Sequence, residues 1–544
     1  MTNAIFSLPV PENEPVLSYA PGSAERETLK TELKRQYGET VEIPLFIGGQ
    51  EVKTGDLGES SCPHEHGHVL GTYHKAGEKE IALAIEAALD ARLAWESMPW
   101  YERAAIFLKA ADLISGKYRA RLNAASMLDQ SKNVFQAEID AVCELADFWR
   151  FNAHYMQQIY REQPMHNARG SWNRVESRSL EGFVFAVTPF NFASIAGNLP
   201  SAPALMGNVV LWKPASSTVY VAYHLLQVLR EAGLPAGVIN FVPGAGSKVG
   251  GPVMASGHLA GVHFTGSTAT FQGMWQTVGT HIKNYRSYPR IVGETGGKDF
   301  VVVHPSANPE QVVTAAVRGA FEYQGQKCSA ASRMYVPRSM WNGLKSEIGR
   351  VLSQLKMGDV ADFSNFVNAV IDEAAFDTTM DYIHRAEAAR DAEILFGGHG
   401  DKSRGYFVEP TVILAKDPHF VTMEEEIFAP VLTVYVYEDN RYEETLTLCD
   451  QTSPYALTGA VFATDRQAIG QAFERLRHAA GNFYINDKPT GAVVGQQPFG
   501  GGRGSGTNDK AGSYLNLIRW VSPRTIKENF VPPTDHAYPF MRER

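Results

Sequence analysis

Residues 182–212 read GFVFAVTPFNFASIAGNLPSAPALMGNVVLW and contain no charged side chain. The segment is long enough to cross a membrane. It also contains three prolines and three asparagines, and a lipid-exposed helix would leave backbone groups unpaired around the prolines. We therefore expect a buried strand at 183–187, a loop, a helix and a second strand at 208–212 inside a soluble protein.

Strands and helices alternate on both sides of this segment. Before it, apolar periodicity predicts helices at 78–97, 102–130 and 135–160. After it, the patterns predict helices at 219–232 and 309–322, and strands at 238–242, 261–264, 300–303, 333–336, 411–415 and 430–437. Alternating strands and helices are typical of parallel sheets with helices on both faces, so the predicted fold class is α/β.

The chain has 544 residues, more than one hydrophobic core usually supports. A second α/β domain is expected to begin close to residue 296. Segment 164–180 alternates arginines with polar residues and predicts an exposed ribbon, and the tail after Trp520 has little capacity to form a core. Both segments are expected to be surface loops or strands that pair with another subunit.

The composition excludes several classes of protein. A net charge of −9 without a basic block argues against nucleic acid or anionic membranes as partners. Four widely spaced cysteines are not a disulfide framework, which favours a reducing compartment. No Lys or Arg precedes Arg26, so neither a transit peptide nor a signal peptide is expected, and the protein is predicted to be cytoplasmic.

The nucleotide signal lies at the end of the strand 261–264. That strand runs into Thr265-Gly266-Ser267-Thr268 and then a helix. A glycine at this turn lets the backbone approach a pyrophosphate, and the helix N-terminus offers unpaired N–H groups. The chain has no exact G-x-G-x-x-G and no Walker A motif, and Gly-Ser is also a common helix cap.

Two residues are candidates for catalysis. Cys328 follows Lys327, which together with a nearby loop is expected to lower the pKa of the thiol. The alternative for Cys328 is a buried structural cysteine. Glu294 lies among glycines at the end of a strand, and its alternative is a solvated surface charge.

Residues 62–68, Cys-Pro-His-Glu-His-Gly-His, resemble a metal site at first sight. On a strand, Cys62, His64, His66 and His68 would face one side. Pro63 and Gly67 interrupt a strand, however, and zinc ligands rarely occupy four alternating positions. A polar hairpin without metal is therefore the prediction.

Seven motifs, in order, resemble the aldehyde dehydrogenase superfamily from about residue 40 to the C-terminus. They are Thr188–Phe192, Trp212–Pro214, Phe264–Ser267, Glu294–Lys298, Gly325–Ser329, Glu425–Phe428 and Pro498–Gly501. Five further segments are similar to the branch that oxidises L-glutamate γ-semialdehyde to L-glutamate in proline degradation: Asn191–Leu199, Ala202–Asn208, Gly481–Lys488, Thr490–Phe499 and Gly506–Lys510.

The resemblance implies the fold and its division. It implies a Rossmann-like NAD-binding domain, an α/β catalytic domain and a small β flap for oligomerisation. The expected boundaries are 1–163 with 181–295 for the helical region and NAD-binding domain, 296–500 for the catalytic domain, and 164–180 with 520–544 for the flap.

The resemblance also implies a mechanism. The thiolate of Cys328 would add to the aldehyde and form a thiohemiacetal, whose oxyanion would be bound by the Asn191 amide and the Cys328 backbone N–H. Hydride transfer to NAD would leave a thioester, and Glu294 would act as general base on the water that hydrolyses it.

The contacts implied for NAD are made by Thr188, Lys213, Ser216, Gly266, Ser267, Thr268, Ala269, Thr270, Glu426 and Phe428. Lys213 would bond the adenosine ribose, the turn from Gly266 to Thr270 would meet the pyrophosphate, and Glu426 would hold the nicotinamide ribose. Ser216 stands where many NAD-specific members have a Glu that repels a 2′-phosphate, so the exclusion of NADP stays open.

For the substrate, the resemblance implies that Ser329 and the backbone N–H groups of Gly491 and Ala492 bind the α-carboxylate. Phe192 and Phe499 would pack against its aliphatic middle.

Three other functions fit the sequence less well. A related enzyme for succinate semialdehyde would not need the loop that binds an amino acid. A pseudoenzyme conflicts with the intact candidate residues. A fragment of a bifunctional proline-oxidising flavoprotein conflicts with the length, so proline dehydrogenase is expected to be a separate partner. A homodimer or higher homo-oligomer is expected, located in the cytoplasm, or in the mitochondrial matrix for a processed eukaryotic form.

Overall fold

The computed structural model describes residues 4–543. Its helices are α1 Ala24–Tyr37, α2 Glu78–Ser97, α3 Trp100–Ser115, α4 Arg119–Gln130, α5 Val134–Ala137, α6 Leu145–Arg161, α7 Ala193–Leu205, α8 Val219–Ala232, α9 Gly246–Ala255, α10 Thr268–Thr280, α11 Pro309–Phe321, α12 Arg338–Leu352, α13 Glu373–Ala388, α14 Val421–Glu424, α15 Tyr442–Gln451, α16 Arg466–Arg475 and α17 Tyr514–Leu517.

The strands are β1 Val41–Ile43, β2 Leu45–Ile47, β3 Gln50–Val52, β4 Leu57–Cys62, β5 Glu65–His74, β6 Ser171–Arg178, β7 Phe183–Val187, β8 Val209–Lys213, β9 Ile239–Phe241, β10 Leu259–Thr265, β11 Arg290–Glu294, β12 Asp299–Val303, β13 Ala331–Pro337, β14 Ala392–Phe396, β15 Gly400–Asp401, β16 Phe407–Val408, β17 Thr411–Ala415, β18 Val431–Tyr437, β19 Tyr455–Ala456, β20 Thr458–Phe462, β21 Asn482–Ile485, β22 Gly502–Arg503 and β23 Ser522–Asn529.

Two seven-stranded sheets organise the chain. The first has the order β11-β10-β7-β8-β9-β2-β3. Its strands from β11 to β9 are parallel, and β2 and β3 form an antiparallel edge. The second has the order β14-β17-β18-β13-β12-β20-β21, parallel except for β14. The α/β class predicted from the alternation is therefore confirmed.

The uncharged segment 182–212 forms the centre of the first sheet. It contains β7, α7 and the start of β8, and nearly all of its side chains are buried. The predicted strand, loop, helix and strand are confirmed. None of the helices in the described part of the chain combines the length and the apolar character that crossing a bilayer requires.

Two of the long predicted helices are interrupted. The pattern at 102–130 is two helices, because α3 ends at Ser115, before Gly116, whose φ of −114° and ψ of −101° are not helical. The pattern at 135–160 contains a π-helical stretch, Glu138–Glu144, between α5 and α6. The carboxylate of Asp140 in that stretch accepts hydrogen bonds from the backbone N–H groups of Ala193 and Ser194, both at 2.8 Å. Periodicity did not reveal either break.

The predicted ribbon and tail pair with each other within the chain. Strand β6 runs antiparallel to β23 over eight residue pairs, from Ser171 with Asn529 to Arg178 with Ser522. The chain then continues past β23 with several exposed aromatic side chains, among them Phe530, Tyr538 and Phe540. The role of this ribbon in oligomerisation and the division into domains stay predictions.

The Cys62–His68 segment contains the turn of the hairpin formed by β4 and β5, as predicted, but Gly67 lies within β5 and does not interrupt it. His64 is buried, and its Nδ1 lies 3.2 Å from the Ser131 hydroxyl. The His66 ring instead contacts the carbonyl of Lys402 at 3.0 Å, so these two histidines are directed to different neighbours.

Candidate active site

A cavity of about 880 Å³ lies at the carboxyl ends of the parallel strands of the first sheet. In the sheet order, β8 and β9 lie on one side of β7, whereas β10 and β11, which follow later in the chain, lie on its other side. Ligands of open α/β sheets bind at such a switch point, outside the carboxyl ends of the strands. Thr188 follows β7 here, and Gly266 follows β10 on the other side of the switch.

Eight of the ten predicted NAD contacts line this cavity. They are Thr188, Lys213, Ser216, Gly266, Ser267, Thr270, Glu426 and Phe428. Thr268 and Ala269 lie outside the lining: the Thr268 hydroxyl is 3.1 Å from the Tyr455 hydroxyl, and Ala269 is exposed to solvent. Both residues lie in the first turn of α10, which begins at Thr268.

The polar groups of the cavity are held in place by the backbone. The Lys213 ammonium donates to the carbonyl of Pro214 at 3.0 Å, and burial lowers its pKa to about 8. The Ser216 hydroxyl donates to the carbonyl of Gly244 at 3.3 Å. The Glu426 carboxylate accepts the N–H of Gly297 at 2.8 Å, and burial raises its pKa to about 7.

Part of the cavity wall is formed by glycines of α9. Gly246, Gly250 and Gly251 of α9 line the cavity, and a Cβ placed on any of them would have no neighbour within 4 Å. Such a Cβ would project into open space, which is the expected condition for a wall against which a cofactor packs. The Ser267 hydroxyl caps α10 by accepting the N–H of Thr270. The alternative interpretation of Gly266-Ser267 as a helix cap is therefore also correct.

A second cavity of about 450 Å³ lies on the other side of Cys328. Its lining includes every predicted substrate contact, namely Phe192, Ser329, Gly491, Ala492 and Phe499, as well as Glu294. Three residues line both cavities: Phe264, Thr265 and Cys328. The candidate nucleophile therefore lies where the two cavities meet.

Cys328 is positioned by an unusual turn. After α11, the backbone of Tyr323, Gln324 and Gly325 is left-handed, with φ of 50°, 56° and 66°. The Asn191 amide donates to the carbonyl of Gln326 at 3.1 Å, which ties it to this turn. A Cβ on Gly297 would lie 2.1 Å from the Cys328 carbonyl oxygen, so glycine is required where this loop packs.

The electrostatics of Cys328 differ from the prediction. Burial, followed by the nearby carboxyl groups of Glu294 and Asp299, raises the pKa of the thiol well above its usual value. Lys327 does not offset this, because its ammonium is paired with the Glu322 carboxylate at 3.2 Å. The predicted lowering of the pKa by Lys327 is therefore wrong.

Glu294 ends β11 and is partly buried, unlike the solvated charge that was its alternative. Burial raises its pKa to about 8, with the opposing effect of Lys510 and a smaller rise from Asp509 included in that value. Such a carboxyl group titrates near neutral pH, as a general base requires. Glu294 and Cys328 line the same cavity, and the Glu294 carboxylate contributes to the raised pKa of the Cys328 thiol.

Sequence reasoning assigned no role to two residues that organise the site. The Lys510 ammonium donates to the carbonyls of Gly481 and Gly500 at 2.8 and 2.9 Å beside Glu294. The Thr490 hydroxyl lies 2.8 Å from the Ser329 hydroxyl, in the buried wall of the substrate cavity. Both residues lie within motifs that carried the resemblance, which was the available signal.

The chain belongs to the aldehyde dehydrogenase family, whose model matches residues 52–524. It is 54% identical to the delta-1-pyrroline-5-carboxylate dehydrogenase, mitochondrial, of Dictyostelium discoideum. The 537 aligned residues cover 98% of this chain and 96% of that relative. Among solved structures it is similar to the delta-pyrroline-5-carboxylate dehydrogenase of Mycobacterium tuberculosis bound with NAD, with a TM-score of 0.96, 54% identity and full coverage of both chains. The Thermus 1-pyrroline-5-carboxylate dehydrogenase with bound NAD is 31% identical with a TM-score of 0.90, covering 96% of this chain and 100% of that one.

Proposed function

We propose that the protein oxidises L-glutamate γ-semialdehyde, the open form of Δ1-pyrroline-5-carboxylate, to L-glutamate with NAD. This is the second step of proline degradation. The observation that carries the proposal is the position of Cys328 between a cavity at the carboxyl ends of the first sheet and a smaller cavity lined by Ser329, Gly491 and Ala492. Relatives named as dehydrogenases of this substrate, at about half identity over nearly the whole chain, support it.

NAD, when bound, supplies the acceptor for the hydride. The residues present fit it: the ammonium of Lys213 and the carboxylate of Glu426 would hold its two riboses, and the turn at Gly266 and Ser267 would hold its phosphates. The start of α10 supplies backbone N–H groups for those phosphates. No carboxylate stands at Ser216, so measurable use of NADP is compatible with the site.

The chemistry of the chain begins with the Cys328 thiol. Its raised pKa means that the resting thiol is protonated, so addition to the aldehyde requires a base to take the proton. Glu294 is the candidate, since its pKa of about 8 suits proton transfer near neutral pH. The oxyanion of the thiohemiacetal would accept hydrogen bonds from the Asn191 amide and from the backbone N–H of Cys328.

Loss of the hydride leaves a thioester on Cys328. After the proton taken from the thiol has passed to solvent, Glu294 would take a proton from the water that attacks the thioester. It would give this proton to the departing Cys328 sulfur, which releases glutamate and regenerates the thiol. The carboxylate of the substrate would be held by the Ser329 hydroxyl and the backbone N–H groups of Gly491 and Ala492, with Phe192 and Phe499 along its aliphatic part. The positive φ of 92° at Gly491 supports this role, because it turns the backbone of the loop within the cavity wall.

The test is NADH formation with a panel of aldehydes. We expect kcat/KM to be highest for glutamate γ-semialdehyde, lower for succinate semialdehyde, which lacks the amino group, and lowest for a simple alkanal. Preference for succinate semialdehyde or the alkanal would reject the substrate. The absence of turnover with every aldehyde would instead favour a pseudoenzyme.

We also propose an assembly, a partner and a compartment for the protein. The exposed ribbon of β6 and β23, with Trp172 on its surface, supports a homo-oligomer. A proline dehydrogenase acting as a separate protein would supply the substrate. The cytoplasm is the proposed compartment, and the matrix is the alternative supported by the mitochondrial name of the Dictyostelium relative.

A further inference from the structure

The segment before α1 is fastened to the helical layer beside the substrate cavity. Residues 4–22, here called the N-terminal strap, contain no helix or strand. The backbone N–H of Leu8 donates to Gln157 at 2.7 Å, and that of Leu17 donates to Glu138 at 3.0 Å. The Glu14 carboxylate is paired with Arg119 and Arg150, each at 2.7 Å.

One side chain of the strap connects these helices to the opposite wall of the cavity. The Asn13 amide donates to the Asp147 carboxylate on α6 at 2.7 Å and to the carbonyl of Val494 at 2.8 Å. Its oxygen accepts from the Gln496 amide at 2.9 Å. An amide is well suited to this position, because it offers two donors and an acceptor and all of them are used.

Val494 and Gln496 belong to the loop that carries Gly491 and Ala492. Two glycines of this loop, Gly491 and Gly495, have positive φ of 92° and 81°. Its own turn is closed by the bond from the N–H of Gln497 to the carbonyl of Val493 at 2.9 Å. Asn13 adds two bonds from outside the turn, and it lines the same cavity as Gly491 and Ala492.

We propose that Asn13 is a positioning residue for substrate specificity. By fixing Val494 and Gln496 against α6, it holds the loop so that the N–H groups of Gly491 and Ala492 face the carboxylate of the aldehyde substrate. Asn13 itself bonds neither the reacting carbon nor the nucleophile. The inference rests on the proposed function, since it assigns the loop to the carboxylate of an amino acid aldehyde.

The test compares Asn13→Ala, Asn13→Asp and Gln496→Ala with the native chain. Asn13→Ala removes the bridge, and we expect KM for glutamate γ-semialdehyde to rise about tenfold, with kcat changed less than about twofold. Asn13→Asp should raise KM more, because it places a carboxylate against that of Asp147. The kcat/KM for propanal should not change, because propanal has no carboxylate for the loop to bind.

Glu12→Gln is the matched control, since Glu12 is an exposed neighbour on the same strap. It should leave every constant unchanged. Hydrogen exchange in a peptide covering 490–497 should be faster in Asn13→Ala and unchanged in Glu12→Gln. The effects of Asn13→Ala and Gln496→Ala should be less than additive in the double variant, because both remove the same bridge.

Equal losses for glutamate γ-semialdehyde and propanal would overturn the proposal, and so would unchanged KM and unchanged exchange in Asn13→Ala. If Asn13→Asp does not fold, Gln496→Ala on the exposed side of the loop still allows the effects on glutamate γ-semialdehyde and on propanal to be compared. Failure of the proposed function is a separate result: the native chain itself would then show no preference for glutamate γ-semialdehyde over propanal.

Discussion

The raised pKa of Glu294 predicts how the steady-state rate depends on pH. Glu294 acts as a base only when ionised, and its pKa is about 8. It is then roughly one-tenth ionised at pH 7 and roughly nine-tenths ionised at pH 9, so hydrolysis of the thioester should become about tenfold faster between these values. The sign follows from burial, which disfavours the charged form and so moves the titration of this acid upward.

Rapid mixing of enzyme, NAD and aldehyde separates the two half-reactions. A burst of NADH reports formation of the thioester, and the linear phase that follows reports its hydrolysis. In Glu294→Gln the burst should form more slowly but still reach its full amplitude, because solvent can take the thiol proton before hydride transfer. Hydrolysis should be slowed more, because each turnover then requires that carboxylate to activate water. The linear phase should be slow and should not vary between pH 7 and pH 9.

Asp509→Asn is the matched control, because it changes a second carboxylate in the same cavity. Asp509 raises the pKa of Glu294, so its neutralisation should move the midpoint of the linear phase to lower pH. The rate on the alkaline side should be retained. A linear phase of the native enzyme that is flat from pH 7 to pH 9 would refute the assignment of Glu294, and so would equal loss of both phases in Glu294→Gln.

Three further predictions concern the nucleophile, the substrate and the ribbon. Cys328→Ala should abolish dehydrogenase activity and leave NAD binding, measured by calorimetry, largely intact. Ser329→Ala should lower kcat/KM for glutamate γ-semialdehyde roughly ten- to hundred-fold, since a hydrogen bond to a charged group contributes about 1.5–3 kcal/mol, and should spare a simple alkanal. A chain that ends at Val521 lacks β23, and light scattering should show monomers or aggregated protein.

Each of these predictions has an outcome that contradicts it. Turnover by Cys328→Ala would reject the covalent mechanism. Equal losses with both substrates in Ser329→Ala would mean that the Ser329 hydroxyl supports Cys328. Thr490→Val is the control for Ser329→Ala, because it removes the hydrogen-bond partner of the Ser329 hydroxyl and keeps Ser329 itself. An unchanged oligomer without β23 would separate the ribbon from assembly.

The sequence by itself determined the α/β class and the family. Strand and helix periods are local properties, so the centre of the first sheet was predictable from 182–212. The ordered motifs also predicted which residues meet, since Cys328 and the candidate substrate contacts line one cavity. The apolar periodicity did not predict the break at Gly116 or the π-helical stretch Glu138–Glu144. Neither a break nor an extra residue per turn alters the apolar composition of the segment, so the pattern continues across each irregularity.

Only the tertiary structure decided the electrostatics and the long-range bonds. A pKa depends on the desolvation and charge contributed by distant segments, so the neighbouring Lys327 suggested the wrong direction for Cys328 while Glu322 neutralised that lysine. The pairing of β6 with β23 and the bridge from Asn13 to Val494 join positions hundreds of residues apart. Such contacts depend on how the packed elements bring distant backbone together, which no local pattern records.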